Sequence, residues 1–456
     1  MCQGRVRVFM LWLTDLVCVY SCWALAVWGY WVIGIGHYEY GFDFYLRLWP
    51  VGIAFTALNL VFKLYHGSIL YPAAPVSPVE ELRRLMASAA FTHLGVIAVL
   101  ALSRQTTKDY SRVVIVLSGI FTAFFAQPAR NLIRSVMLRV GWGQIPVVLT
   151  GAGAVAEHVA SALAADAYTG FRVVRTFGND FREIVPQARR LGVKILVACQ
   201  DMRMLRAQIE AFTSWFTFIE YMPSAEAFPV LGAQPVAFDG LGGLEMVNQR
   251  RMKAMRLGKS ALDLLLSLLA FFCLLPFFVI IPVLVKLTSR GPVFYRANRL
   301  GKCGRPIRVW KFRSMYADAD ERLAGMLAAN PALKAEFEAN FKLVDDPRVT
   351  PLGRFLRKTS LDELPQLFNV FSGEMALIGP RPIVEREVGY YGKAYSIFSS
   401  VKPGITGLWQ TSGRSDTDYA RRIALDSYYV LNWSPWLDIW ILFRTVGAVL
   451  FMRGAC

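Results

Sequence analysis

Residues 257–292, LGKSALDLLLSLLAFFCLLPFFVIIPVLVKLTSRGP, decide how the chain meets a membrane. Their apolar part, about 261–287, is long enough to cross a bilayer core, which takes ~20 residues of helix. It also contains Pro276 and Pro282. A proline inside a helix removes a backbone donor and crowds the preceding turn, so a bent hairpin that leaves by the leaflet it entered is as physical as a fifth span. The choice fixes the side on which everything after residue 290 lies.

The rest of the chain supports a membrane setting. Over 456 residues, 55% are hydrophobic and 18% charged, and mean hydropathy is +0.39. That is too apolar for a soluble protein of this size, while long polar stretches after about residue 140 exclude a pure helical channel. Four apolar stretches, 8–33, 45–65, 82–102 and 110–125, predict four N-terminal transmembrane helices. Arg5 and Arg7, then Lys63, Arg83 and Arg84, then Arg130, Arg134 and Arg139 flank them so as to place the N-terminus and everything after residue 130 in the cytoplasm. Glu39 and Asp43 suit an external first connection, whereas Arg104, Lys108 and Arg112 oppose that orientation. The N-terminus does not read as a cleavable signal, because its apolar run is long and others follow.

The net charge is +17, and residues 251–456 hold 29 basic against 17 acidic side chains. Such a bias suits anionic lipid headgroups or phosphates. No nucleic-acid partner is expected, since the cations are interleaved with apolar segments and no binding motif is present. Seven cysteines form no CxxC pair, which fits a reducing compartment.

From Gln144, IPVVLTGAGAVAEHVASALAAD reads as a strand, a glycine turn and a helix opening near Ala154. FRVVRTFGN and VKILVACQ read as further buried strands, with IVPQARRLG and MRMLRAQIEAF as helices, so 141–250 is predicted to be a Rossmann-like cytoplasmic domain and linker. Gly151, Gly153 and Ala156 make G-x-G-x-x-A, a pattern that can bring backbone to a pyrophosphate. Arg172 and Arg175 stand where an acidic ribose partner would be sought, which favours a packing turn in a non-catalytic domain over a dinucleotide site. Residues 225–250 read as a Gly-, Ala- and Pro-containing connection.

Chemistry is concentrated in the third part, 251–456. The four histidines are at 37, 66, 93 and 158, so no histidine base or His-rich metal site can lie after Arg290. Carboxylates, arginines and lysines remain, densest in KFRSM (311–315), the run 345–382 and KPGITGLWQTSGRSD (402–416). Asp362 and Glu363 follow Thr359 and Ser360, which alone would be an acidic helix start. Arg354, Arg357, Lys358 and Arg381 are many cations for two carboxylates and fit a polyphosphate better. A carboxylate can attack phosphorus to give an acyl phosphate while another holds Mg2+, so phosphoryl transfer is the indicated class.

KFRSM, DPRVTPLGRFLRKTSLDELPQLFNV, GEMALIGPRP and KPGITGLWQTSGR together resemble the bacterial sugar transferase family, the monotopic polyprenyl-phosphate phosphoglycosyl transferases, in its long form. The resemblance implies a membrane α/β protein in which four transmembrane helices and a Rossmann-like domain precede a monotopic catalytic domain with a re-entrant helix. It implies transfer of hexose 1-phosphate from a UDP-hexose to undecaprenyl phosphate, with release of UMP, at the start of O-antigen, capsule or exopolysaccharide synthesis. Asp362 would be the nucleophile and Glu363 the Mg2+ ligand, with Lys311, Arg313, Arg357 and Arg381 holding the diphosphate or uridine. Pro276 would break the re-entrant helix, although Leu275 precedes it where the family has serine, and Pro282 is the alternative. The catalytic domain would face the cytoplasm on the bacterial inner membrane, in contact with membrane lipids.

The insertion before residue 341 resembles galactose-specific members, which makes UDP-galactose the first expected donor and UDP-glucose the second. Residues 317–341 read as a charged helical insertion, either solvated or an oligomer contact. The four helices and the Rossmann-like domain are expected to serve regulation or dimerisation, and the expected assembly is a homodimer. Trp433, Trp436 and Trp440 beside an apolar stretch interrupted by Arg444 suggest an interfacial C-terminal helix, with an ordinary packed helix as the alternative. Two rival functions remain: a tethered sugar-nucleotide dehydratase or epimerase, for which the Rossmann-like part lacks a Tyr-x-x-x-Lys, and a non-catalytic assembly scaffold.

Overall fold

Long apolar helices open the chain: α1 (Cys2–Val32), α2 (Pro50–Val61), α3 (Pro78–Leu102) and α4 (Arg112–Val140). The computed structural model describes residues 2–32, 49–65, 77–102, and 111–222 apart from 152, 167, 179–182 and 201. It also describes 233–238, 241–246, 252–316, scattered positions between 318 and 328, 346, 348–412 and 419–450. The chain divides into two compact units, Met1–Phe228 and Pro229–Cys456.

In the first unit α1, α3 and α4 are long and apolar enough to cross a membrane. The expected second span is different. Its helix α2 has 12 residues, which at 1.5 Å per residue covers roughly 18 Å of a ~30 Å hydrocarbon core. The charges used to orient the connections, Glu39, Asp43, Arg104 and Lys108, lie outside the described residues.

The fourth helix departs further from expectation. It continues past residue 125, through Pro128, to Val140, and closes on Gly141 at φ 74°. Arg130 and Arg134, expected as flanking surface cations, are therefore inside it and fully buried. They are neutralised by two acids that the apolar runs concealed. Asp15 of α1 accepts from Arg130 Nε at 2.8 Å and Nη2 at 2.5 Å, and Glu81 of α3 accepts from Arg130 Nη1 at 2.8 Å. Arg134 reaches both Glu81 oxygens at 2.7 and 2.6 Å. Asn59 of α2 and Tyr65 complete Asp15. Around this group Val19, Trp23, Phe55, Leu85, Ala89 and Ile115 form the apolar core.

The same unit carries the Rossmann-like sheet. Strands β1 (Ile145–Thr150), β2 (Phe171–Phe177), β3 (Ile195–Ala198) and β4 (Phe218–Tyr221) are parallel, in the order β2-β1-β3-β4. Helix α5 (Gly153–Ala165) covers one face, and α6 (Ile184–Arg190) and α7 (Met202–Thr213) cover the other. Tyr168, in the turn before β2, joins sheet to bundle: its hydroxyl donates to Glu81 at 2.9 Å, and the Arg134 guanidinium lies 4.3 Å over its ring.

The second unit begins with an antiparallel hairpin, β5 (Ala233–Phe238) and β6 (Leu241–Met246), where the sequence suggested only a connection. Then come α8 (Lys253–Cys273) and α9 (Leu275–Thr288), bent by 60°. The break falls at Leu274, and Pro276 occupies the first turn of α9, where its missing N–H is an orphan in any helix. Pro282 lies inside α9. An antiparallel ribbon follows, β7 (Phe294–Leu300) and β8 (Pro306–Phe312). Helices α10 (Pro351–Thr359) and α11 (Leu367–Phe371) flank a 3-10 turn, Leu361–Gln366, and the two-stranded parallel pair β9 (Ala376–Ile378) and β10 (Gly404–Thr406) precedes α12 (Tyr419–Leu431) and α13 (Pro435–Leu450). Residues 329–345 of the charged insertion lie outside those described.

The C-terminal helix is packed at its start. Trp433 is buried and donates to Asp438 at 2.9 Å, and Asp438 also accepts from Tyr429 at 2.8 Å and pairs with Lys259 of α8 at 3.0 Å. Lys259 in turn bonds Asp263 and the carbonyl of Ile378. Trp433 is thus an anchor within the unit, not a residue facing headgroups.

Candidate active site

Thr350 begins the construction. Its side chain accepts from the Gly353 N–H at 2.9 Å, and Pro351 fills the first helical position, so α10 starts with a side-chain cap and a preset φ. Gly353 is required because a Cβ there would overlap the Ser314 carbonyl at the end of the β8 segment. Thr350→Ala should cost ~1 kcal/mol, lowering the midpoint of thermal inactivation, while Thr350→Ser should retain most of the cap. Helix α10 ends at Ser360, a non-glycine residue at φ 59°. That left-handed step is unfavourable for a serine and reverses the chain, so Asp362 and Glu363 open the following 3-10 turn.

The turn lies against two supports. Leu361 and Leu364, on either side of the dyad, pack with Ile281 and Val285 of the apolar helix α9. Across from it, β8 presents Lys311, whose Nζ is 2.7 Å from Glu363 Oε1 and 3.8 Å from Asp362 Oδ2. Asp362 is 7% exposed. Burial pushes its carboxyl up to about 6; Lys311 opposes the shift and the Glu363 charge adds to it. Arg357 donates to Ser314 Oγ at 2.9 Å and bears on Asp362 through its charge. Arg381 approaches Glu363 at 3.6 Å.

Of the residues singled out from sequence, Asp362, Glu363, Lys311, Arg357 and Arg381 converge. Arg313 stands apart: it donates to the carbonyl and hydroxyl of Ser289 at 2.8 Å each, closing the end of α9. Four further groups, Arg299, Trp409, Arg422 and Ser314, join the site without having been foreseen. Arg299 of β7 is held down by burial and by the Arg381 charge, and it also feels Glu363. Trp409 lies between two guanidinium groups, Arg381 at 5.8 Å and Arg422 at 4.7 Å from its ring centroid. Ser314 positions Arg357. Trp409 and Ser314 sit inside the quoted motifs, so their composition could have flagged them; Arg299 and Arg422 carry no local signal.

Among the described residues no group of three or more His, Cys, Asp and Glu side chains could hold a metal by itself. Two adjacent carboxylates nevertheless fit Mg2+, which takes one or two protein carboxylates and completes its shell with phosphate oxygens and water. The Lys311 ammonium on Glu363 shows that this carboxylate already serves a cation.

The bacterial sugar transferase family profile matches residues 254–452. The undecaprenyl-phosphate galactose phosphotransferase of Salmonella typhimurium is 34% identical over 376 residues, covering 78% of this chain and 79% of that one. The UDP-glucose:undecaprenyl-phosphate glucose-1-phosphate transferase of Klebsiella pneumoniae is 32% identical over 292 residues, 62% of this chain and 60% of its own. The exopolysaccharide production protein ExoY of Sinorhizobium fredii is 45% identical over 199 residues, 44% of this chain and 88% of its own. With a relative of this identity aligned over most of both chains, and with the family's motifs folded around one buried aspartate, the chain belongs to the bacterial sugar transferase family.

Proposed function

We propose that the protein transfers a hexose 1-phosphate from a UDP-sugar to undecaprenyl phosphate, releasing UMP, through a covalent phosphosugar on Asp362. The observation that carries the proposal is the position of the dyad: a buried carboxylate beside Lys311, on a turn whose own leucines pack on an apolar helix. A soluble diphosphate and a lipid phosphate can both reach such a place.

In the first half-reaction an Asp362 oxygen attacks the phosphorus attached to the sugar. The bond to the bridging oxygen breaks, and UMP leaves with the electron pair. In the second, a phosphate oxygen of the lipid attacks the same phosphorus and Asp362 leaves as a carboxylate. No proton need be moved in either half, which agrees with the lack of histidine in this unit. Lys311, Arg357 and Arg381 hold the phosphoryl oxygens and offset the growing charge. Mg2+ on Glu363 would neutralise the diphosphate when bound. The 60° break between α8 and α9 supports a re-entrant segment, which keeps Asp362 on the cytoplasmic side of the inner membrane, where nucleotide sugars are made.

The proposed donor is UDP-galactose, supported by the extent of the match to the Salmonella relative; the Klebsiella relative makes UDP-glucose the second reading. The test is UMP release by nanodisc-embedded protein given undecaprenyl phosphate, Mg2+ and a panel of UDP-sugars. Release with one UDP-hexose supports the reading, and silence with all of them removes it.

The acid limb gives a separate prediction. The attacking form of Asp362 is the carboxylate and its pKa is raised to about 6, so log(kcat/KM) should fall by about one per pH unit below that value. Glu363→Gln removes a neighbouring negative charge and should move this limb to lower pH, whatever it does to the rate. A flat profile between pH 5 and 7 would contradict the assignment.

A further inference from the structure

The β7–β8 ribbon has two faces, and the transfer chemistry uses one of them. Strand alternation puts Ile307, Val309 and Lys311 on the side that packs on Val370 and Met375 and reaches Asp362 and Glu363. Arg308 and Trp310 stand on the other side, with Arg296 paired across to Trp310. There Arg296, Arg308, Trp310, Phe368, Ser372 and Glu374 line an open cavity of about 400 Å³. The phosphoryl transfer proposed above makes no use of it.

The cavity has an excess of positive charge held in a fixed frame. The Arg296 guanidinium lies 3.7 Å over the Trp310 ring, which fixes the group while leaving the N–H donors in its plane open to an anion. Among the described residues neither Arg296 nor Arg308 has a carboxylate partner. Glu374, the acid in the lining, accepts from Asn369 Nδ2 at 2.7 Å. The same Asn369 side chain accepts from the Trp310 N–H and donates to the Arg308 carbonyl, at 2.9 Å each. The strand that carries Arg308 and Trp310 is thereby pinned to α11. Two arginine forks suit the oxygens of a phosphodiester, and Ser372 and Glu374 suit hydroxyl groups on its substituent.

A second observation identifies the kind of phosphodiester, because an apolar path leads from the cavity to the membrane segment. The Phe368 ring meets Trp310 at 6.5 Å on one side, and Phe271 of α8 and Phe278 of α9 at 6.3 and 5.7 Å on the other. Helix α9 leaves Val279, Ile280 and Val283 more than half exposed, as a helix facing acyl chains does. It carries Lys286 in its last turn, and residues 289–293 alone separate it from β7. That strand opens with exposed Phe294 and Tyr295. A lysine and aromatic rings at the end of an apolar helix mark headgroup depth, so the cavity lies where lipid phosphates are found.

We propose that this cavity binds the headgroup of an anionic phospholipid of the phosphatidylglycerol class. Its phosphate rests on Arg296 and Arg308, its glycerol hydroxyls on Ser372 and Glu374, and an acyl chain follows Phe368 toward α8 and α9. A lipid held there is on the far face of the ribbon from Lys311, so it does not react; it ties the strand that carries Lys311 to the bilayer surface. The proposal needs α9 in the bilayer and does not need the transfer chemistry.

The test moves the full chain from nanodiscs of phosphatidylglycerol, phosphatidylethanolamine and phosphatidylcholine in equal parts into mild detergent, and identifies the lipid it keeps by native mass spectrometry. The parent should keep phosphatidylglycerol in preference to the other two. Arg296→Gln combined with Arg308→Gln should lower the amount kept by roughly tenfold or more. Lys302→Gln combined with Arg305→Gln, which removes the same charge from the turn of the same ribbon, should leave it unchanged. All four side chains are exposed, so these variants keep the fold. The unfolding midpoint in nanodiscs should rise with phosphatidylglycerol content in the parent and the turn variant, and not in the cavity variant. Equal losses in the two double variants would mean a diffuse basic surface. Displacement of the kept lipid by soluble glycerol 3-phosphate would mean an anion site with no use for a tail, and displacement by an equal amount of undecaprenyl phosphate would assign the cavity to the acceptor. Each of these results, a preference for phosphatidylethanolamine, or no kept lipid at all would overturn the proposal.

Discussion

Asp362→Asn lowers UMP release by at least about 10³-fold, because it removes the atom that attacks phosphorus while leaving the fold in place. Asparagine has the same shape, and the aspartate is buried at a cost that its raised pKa records, so the variant should fold at least as well as the parent. The comparison with Glu363→Gln and Lys311→Met separates roles. Those residues act on charge around the phosphoryl group, and their loss should leave slow but measurable turnover. The covalent step has its own signature. With donor and no lipid acceptor, the parent should release one UMP per active site in a burst and retain labelled sugar phosphate on the protein, and Asp362→Asn should do neither. Turnover unchanged in this variant, or a parent burst with no label on the protein, would defeat the nucleophile assignment.

How much of this was legible in the sequence follows from the range of the interactions. The dyad, its glycine and its cap lie within one short stretch, where Thr350, Pro351, Gly353 and Asp362 each carry a local rule. β1, α5, β2 and β3 were equally local, as apolar runs punctuated by glycine. The failures share a cause. β4 is four residues long and half-buried, and β5 and β6 contain proline and glycines, so each lacks the alternation that marks a strand. Arg299 reaches the site only through the β7–β8 ribbon, where it pairs with Ile307 and feels the Arg381 and Glu363 charges, and Arg313 leaves it because its guanidinium bonds Ser289. Arg130 and Arg134 ended the apolar count and passed for flanking charges. Their partners lie 115 and 53 residues away in the chain, which no window of sequence spans.

That buried network gives the second large effect. Glu81→Gln should destabilise the first unit by about 3–5 kcal/mol, the usual result of removing one partner from a buried ion pair. Glu81 accepts from Arg130, Arg134, Gln127 and Tyr168. A glutamine of the same shape turns one acceptor into a donor that faces guanidinium groups, and it leaves Asp15 as the single carboxylate opposite two buried arginines. The loss is electrostatic, so part of it should be reversed by removing a cation. Glu81→Gln combined with Arg134→Gln should be more stable than Glu81→Gln alone, a coupling that a packing defect would not produce. Because Tyr168 carries the network to the turn before β2, Tyr168→Phe should show a smaller loss of ~1 kcal/mol, together with faster protease cleavage around the sheet. The measurement is the unfolding midpoint in nanodiscs for the four combinations at residues 81 and 134. Effects of the two single changes that simply add would mean that the arginines find other partners, and that these contacts do not hold the bundle to the sheet.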